Sequence, residues 1–138
     1  MSPAADLMDE THPAGQPVVL LVEDEVLIRL ATADHLRLCG FKVVEAGTAA
    51  EAQDLVLAGL MVDVVFSDIT TPGPIDGIGL CRWLESAGVK VPVILASGVP
   101  RALDDARQSC FNVQAIAPKP YDQDEIVTQI RAILAARA

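Results

Sequence analysis

The sequence predicts one doubly wound α/β domain, a parallel sheet of five strands in the order 2-1-3-4-5 covered by helices on both faces. Three observations carry that expectation. Five short apolar runs alternate with helical patterns, which implies right-handed βαβ crossovers. The runs at 18–22, 62–68 and 91–96 are close to continuous in Val, Ile, Leu and Phe, as strands buried on both faces are. Four of the five runs stop at polar residues, so polar side chains collect at the carboxyl edge of the sheet, where such folds bind ligands.

Residues 1–17 are rich in Ala, Pro, Asp and Gly without periodicity, and read as a disordered tail in which His12 has no function. The domain is expected over 18–138. Val18–Val22 forms the first strand and runs into Glu23, Asp24 and Glu25. A helical pattern follows to Cys39, with Gly40 where a terminating glycine belongs. Leu27, Ala31 and Leu38, with Ile28 and His35, are expected to face the core. Val26, Leu30 and Ala33 form a second stripe, either a greasy surface or a docking face for a partner helix.

Phe41 to Ala46 reads as the second strand, and Thr48-Ala49-Ala50-Glu51 as a capping box opening a helix that runs to about Gly59. The third strand, from Val62, ends on Asp68; Thr70, Thr71, Pro72 and Gly73 then break regular structure. A short helix from Gly77 to Ser86 turns Leu80, Cys81 and Leu84 inward and leaves Trp83 half exposed. Val91 to Ala96 is the fourth strand, ending at Ser97-Gly98, and a weakly amphipathic helix spans Arg101 to Ser109. Val113 to Ala117 is the fifth strand, ending at Pro118-Lys119-Pro120. The last helix starts at Asp122, with Glu125 as its capping partner, and continues through Ile126, Ile130, Ile133 and Leu134.

Composition narrows the classes of function. A formal net charge of −9 argues against nucleic acid as a direct partner, since phosphate contacts need clustered Lys and Arg. The acidic balance is ordinarily solubilising, and also suits a cation or a basic protein face. Cys39, Cys81 and Cys110 lack metal-ligand spacing and leave an odd thiol, a pattern suited to a reducing cytoplasm. Neither a basic leader nor a run of membrane-spanning length occurs, so the expectation is a soluble intracellular protein without membrane insertion.

In the predicted order, strands one and three are neighbours, so Glu23, Asp24 and Asp68 share one crevice with Ser97 and Lys119. Three adjacent carboxylates repel, and either a proton or a cation must relieve them. Oxygen-only ligands suit Mg²⁺ and lack the nitrogen or sulfur that zinc prefers. A nucleophilic carboxylate beside an ammonium, a hydroxyl and a metal describes phosphoryl transfer through an aspartyl phosphate. Taken singly, Glu23-Asp24 could cap a helix, Ser97-Gly98 could be a turn and Lys119 a surface lysine. Their shared placement at strand ends is what points to chemistry.

Leu-Leu-Val-Glu-Asp-Glu at 20–25, Ser-Asp-Ile-Thr-Thr-Pro-Gly at 67–73, Ala-Ser-Gly at 96–98 and Pro-Lys-Pro at 118–120 form an ordered set. With these motifs the chain resembles, from about Val18 to its end, the receiver domain of two-component response regulators. The resemblance implies a flavodoxin-like three-layer sandwich with Asp68 as the phospho-acceptor, Lys119 as the family's lysine and Ser97 as its switch hydroxyl. It implies Mg²⁺ or Mn²⁺ held by Asp24, Asp68 and the Thr70 carbonyl, with Glu23 acting through water, and a cis bond between Lys119 and Pro120. The phosphoryl donor would be a phosphohistidine on a histidine kinase or a histidine phosphotransferase. Docking would use the first helix, including Leu27 and Leu30, and the loop after Lys119.

Three features depart from the common family pattern. The loop through Gly-Pro-Ile-Asp-Gly at 73–77 is one residue longer, Ile116 stands where an aromatic is usual, and Phe-Asn-Val-Gln at 111–114 replaces a small turn. The chain ends with the fifth helix, which suggests a single-domain receiver acting by protein binding or phosphorelay. A homodimer through the fourth and fifth helices is allowed by Ile126, Val127, Ile130 and Ile133, although core packing would account for them equally. Two other readings stand beside this one. Asp-x-Thr at 68–70 faintly resembles haloacid-dehalogenase phosphatases, whose nucleophile lies on the first strand. A pseudo-receiver that binds without accepting phosphate is favoured only by Ile116.

Overall fold

The computed structural model describes residues 15–137; the predicted tail, His12 included, lies outside the described residues except for 15–17. The strands are β1 (Val18–Val22), β2 (Lys42–Ala46), β3 (Val64–Asp68), β4 (Val93–Ser97) and β5 (Val113–Pro118). The helices are α1 (Val26–Leu38), α2 (Ala49–Leu57), α3 (Gly77–Ser86), α4 (Pro100–Ser109) and α5 (Gln123–Arg137). All strand pairs are parallel, in the predicted order β2-β1-β3-β4-β5.

Successive strand side chains point to opposite faces, and the core divides accordingly. Leu20, Val22, Val65 and Leu95 face one cluster with Leu80, Leu84 and Leu103, from α3 and α4. Val19, Leu21, Phe66 and Ile94 face the other with Ala33, Leu36, Ile126 and Ile130, from α1 and α5. Burying both faces of the central strands explains why their sequences lack the alternation of a half-exposed sheet.

Local chemistry sets the helix ends. Thr48 Oγ1 accepts the Glu51 amide at 3.1 Å and the Glu51 carboxylate returns to the Gly47 amide, one residue before the usual partner. Asp76 caps α3 by accepting the Gly79 amide. At the end of α1, Gly40 adopts φ 97°, a conformation that costs glycine little. The Asp122–Glu125 capping pair is corrected: Asp122 Oδ1 accepts the Asp124 amide instead, at 2.8 Å.

Strand starts also shift. Phe41 precedes β2, which begins at Lys42. Val62 and Asp63 precede β3; Asp63 closes the sheet edge by accepting the Val18 amide on its carboxylate at 2.7 Å. Val91 and Pro92 precede β4, as a prolyl nitrogen cannot donate to a ladder.

The larger correction concerns α1. Leu27 and Leu38 are 82% and 86% exposed, Ile28 and Ala31 are exposed, and His35 is half-buried against Asp124. The core face is Thr32, Ala33 and Leu36. Arg29 sets this rotation: its guanidinium donates to the Glu23 carbonyl at 2.9 Å and pairs with Glu45 on β2 at 3.4 Å. Ala33 and Leu36 lie four and seven residues on, so they follow Arg29 onto the sheet. A hydrophobic count alone misses this, because the outward stripe is greasier than the inward one.

Candidate functional site

The carboxyl ends of β1, β3, β4 and β5 meet at one edge, as the sheet order requires. Glu23 leaves β1 with its side chain buried; the residue is 2% exposed, and its Oε2 accepts the Glu25 amide at 3.2 Å. Asp24 is exposed beside it, and Asp68 is half-buried at the end of β3. Carboxylate oxygens of Glu23, Asp24 and Asp68 lie within 4.8 Å of one another. Lys119 reaches in from the end of β5, its Nζ 2.6 Å from Asp68 Oδ2 and 3.2 Å from Glu23 Oε1. The Thr70 amide donates to Asp68 Oδ1 at 3.2 Å.

Electrostatics follow from that packing. Burial pushes the Glu23 carboxyl above its ordinary range, while the Glu25 amide and the Lys119 ammonium favour the charged form and Asp68 opposes it. Burial would also pull Lys119 down. The hydrogen-bonded charge of Asp68, and then of Glu23, overrides it and holds the ammonium above its usual range. Three carboxylates against one ammonium leave two negative charges at the crevice, the charge a divalent cation neutralises. The donor set is all oxygen, so it fits Mg²⁺ and not zinc.

Ser97 is buried at the end of β4, where its hydroxyl accepts the Val99 amide at 3.0 Å and its carbonyl accepts the Lys119 amide at 2.9 Å. The backbone of β4 thus fixes where the lysine starts. The Lys119–Pro120 bond is cis. Every sequence-predicted site residue therefore comes to one edge, although the Ser97 hydroxyl is engaged within its own turn.

Sequence reasoning missed four supports. Gly77 packs directly beneath Asp68: its amide donates to the Ile69 carbonyl at 2.8 Å, and a Cβ there would lie 2.9 Å from Ile69 Cα and collide with the Asp68 carbonyl oxygen. Its signal was the Asp-Gly pair closing the loop. Thr71 Oγ1 accepts the Ala49 amide and donates to the Ile75 carbonyl, tying the loop to α2. Tyr121 stacks edge-on against Phe66 at 5.2 Å and shares a hydrogen bond with the Thr32 hydroxyl at 3.2 Å. Arg29, the lone cation of the first turn of α1, holds the Glu23 backbone. Cys81 and Cys110, which lack metal-ligand spacing in the sequence, are brought together with Glu85 by the fold.

A parallel five-stranded sandwich with an acidic crevice at its switch point, and a lysine reaching in from the end of β5, is the arrangement of a signalling receiver domain. The response regulator receiver domain model matches residues 19–131, and the chain belongs to that family. It is 34% identical over 124 residues to the C4-dicarboxylate transport transcriptional regulatory protein DctD of Rhizobium meliloti, covering 86% of this chain and 25% of that protein. It is 31% identical over 128 residues to the sensor kinase CckA of Brucella abortus, covering 90% of this chain and 13% of the kinase. The chain thus spans a quarter or less of these two relatives. Among solved structures, the response regulator receiver protein of Sinorhizobium medicae superposes with a TM-score of 0.79 at 26% identity, covering 90% of this chain and 98% of that one. The Francisella response regulator 1452 receiver domain, at 22% identity and a TM-score of 0.81, shares the fold. Membership sets aside the haloacid-dehalogenase reading, whose nucleophile belongs on the first strand, whereas Asp68 ends β3.

Proposed function

We propose that Asp68 accepts a phosphoryl group from a phosphohistidine of a histidine kinase or histidine phosphotransferase. The observation that supports this most is Lys119 Nζ at 2.6 Å from Asp68 Oδ2, inside a crevice that two further carboxylates make strongly negative. An Asp68 oxygen attacks phosphorus, the phosphorus–nitrogen bond breaks, and the electron pair returns to the imidazole, which takes up a proton. Lys119 moves its hydrogen bond from the free carboxylate to a phosphoryl oxygen, as a point charge is suited to do. Ser97 donates its hydroxyl proton to another phosphoryl oxygen, since toward the Val99 amide it only accepts.

Asp24, Asp68 and the Thr70 carbonyl are the groups that would hold Mg²⁺ or Mn²⁺ directly, with Glu23 acting through water. Bound there, the ion supplies charge neutralisation for the transferring group. The chain's own catalysis is confined to its phosphorylation and to hydrolysis of the same acyl phosphate.

A cleft of about 560 Å³ between α1 and the loop after Lys119 supports the docking assignment. Leu27, Ile28, Ala31, Pro120 and Tyr121 line it beside Lys119, so a partner helix seated there brings its phosphohistidine to Asp68. Signalling then proceeds by phosphorylation-dependent protein binding or by phosphorelay. The net charge of −9 supports protein rather than nucleic-acid partners, and three free cysteines suit the cytoplasm. Ile126, Val127 and Ile130 are buried and Ile133 is half-buried against the same core, so core packing accounts for these residues.

The test is incubation with Mg²⁺ and acetyl phosphate followed by intact mass measurement, beside an Asp68→Asn variant. Gain of one phosphoryl group that requires Mg²⁺ and vanishes in the variant is expected. Its absence with every donor would remove the phospho-acceptor role.

A further inference from the structure

We propose that Cys81, Glu85 and Cys110 form a second cation site, distinct from the acidic crevice and selective for a thiophilic ion such as Zn²⁺. Cys81 and Glu85 stand one turn apart on α3, so they share a face. Cys110 enters from the residue that follows α4. One ligand atom from each lies within 4.8 Å of the other two. Zinc–sulfur bonds of about 2.3 Å in tetrahedral geometry need sulfurs ~3.8 Å apart, so the group must close by about an ångström at most. Three protein ligands leave the fourth tetrahedral position to water.

The surroundings suit a cation. Both thiols are buried, while Glu85 is half-buried at the rim and offers a way in. Glu85 is already oriented, since its Oε1 accepts the Asn112 amide at 2.9 Å, as metal-binding carboxylates usually are held. Burial keeps both thiols protonated in the absence of metal, and an entering cation displaces the two protons. Two thiolates and a carboxylate around a dication leave one negative charge; the Arg82 guanidinium, close enough to Cys110 to draw its thiol down, opposes it.

Donor softness separates this site from the all-oxygen cluster of Glu23, Asp24 and Asp68. An ion here ties α3 to the chain midway between Ser97 and Lys119, on the face opposite α1. The inference is independent of whether Asp68 accepts phosphate.

The reduced full chain, in excess Mg²⁺, is titrated with Co²⁺ as a spectroscopic stand-in and then with Zn²⁺. The expected result is an intense near-ultraviolet thiolate-to-cobalt band that saturates at one equivalent and is bleached by Zn²⁺. Cys110→Ser and Cys81→Ser abolish it; Cys39→Ser and Asp68→Asn retain it. Glu85→Gln, at a half-exposed rim and expected to fold whatever the serine variants do, weakens Zn²⁺ binding on the order of ten-fold or more. No band from the wild-type chain, a band that survives Cys110→Ser, or unchanged affinity in Glu85→Gln each overturns the proposal. So does a reduced-mass species showing that the two thiols have joined in a disulfide in place of binding metal.

Discussion

Lys119 Nζ bridges Asp68 Oδ2 and Glu23 Oε1, at 2.6 and 3.2 Å, so one ammonium answers two carboxylates from different strands. This contact is at once a fold contact and the electrostatic basis of the site. Replacing the lysine with methionine keeps the stem and removes the charge, leaving Glu23 buried without its cation. The Lys119→Met variant is expected to lose about 1–3 kcal/mol of stability in Mg²⁺-free buffer, since losing a charged hydrogen-bond partner strands the buried acceptor. Mg²⁺ should then raise its urea midpoint more than that of the parent chain, because three carboxylates bind a dication more tightly once the competing ammonium has gone. Equal Mg²⁺ effects in both chains would show that Lys119 does not compete with the cation.

Stability should fall on the alkaline side through groups that hold their protons more tightly when folded. Burial raises Tyr121 above its ordinary 10.0, against the favourable hydrogen bond from Thr32. Lys119, pulled down by burial, is raised above its ordinary 10.5 by Asp68 and Glu23. In both cases the folded value exceeds the unfolded one. Burial likewise raises the thiols of Cys81 and Cys110 above their ordinary 9.0, so the folded state binds more protons from about that pH upward, and stability falls further as pH rises past 10.0. Denaturation midpoints followed upward from neutrality should be flat and then drop in the parent chain. A Tyr121→Phe variant should show a shallower drop; an identical slope would assign the alkaline loss to other groups.

Gly77 is required by close approach and not by its backbone angle. Its amide bonds the Ile69 carbonyl, and a methyl group has no room against the backbone of Asp68. Gly77→Ala is expected to cost about 1–3 kcal/mol, the usual range for forcing a methyl into a packed core. It should also slow acetyl-phosphate labelling, because the strain falls on the residue that carries the acceptor. Gly73→Ala, where φ is 109° but the added Cβ meets nothing within 4 Å, serves as the comparison. Its cost should appear in stability and not in the rate of labelling.

The sheet order and the five strand-end residues were legible because each depends on a short local pattern, an apolar run and the polar residue that stops it. The orientation of α1 was not, because it is decided by Arg29 reaching back to the Glu23 carbonyl and across to Glu45, partners that periodicity does not register. The same holds for Cys81 and Cys110, which are remote in sequence and meet only when α3 and the turn after α4 pack on one face of the sheet. Tyr121 beside Phe66 belongs to the same class, since the aromatic contact joins β3 to the loop after β5. Properties of one segment could be read in advance; properties of a meeting between segments could not.

The outward face of α1 separates docking from folding. Leu27 is 82% exposed and Leu30 is exposed, so Leu27→Glu and Leu30→Glu should change stability by no more than about 0.5 kcal/mol, as surface substitutions do. Leu36, at 1% exposure on the core face, should cost about 2–5 kcal/mol when cut to alanine. If the cleft beside Pro120 and Tyr121 receives a partner helix, Leu27→Glu places charge in its apolar lining, and Leu30→Glu adds a second on the exposed surface of the same helix. Transfer from a phosphohistidine protein should then fall at least ten-fold in the doubly substituted chain, while labelling by acetyl phosphate, which needs no docking, stays within two-fold of the parent. Equal loss with both donors would mean that the substitutions reach Asp68 through the fold. No loss with either would move the docking surface to another face, leaving the apolar stripe of Leu27 and Leu30 without a role in phosphoryl transfer.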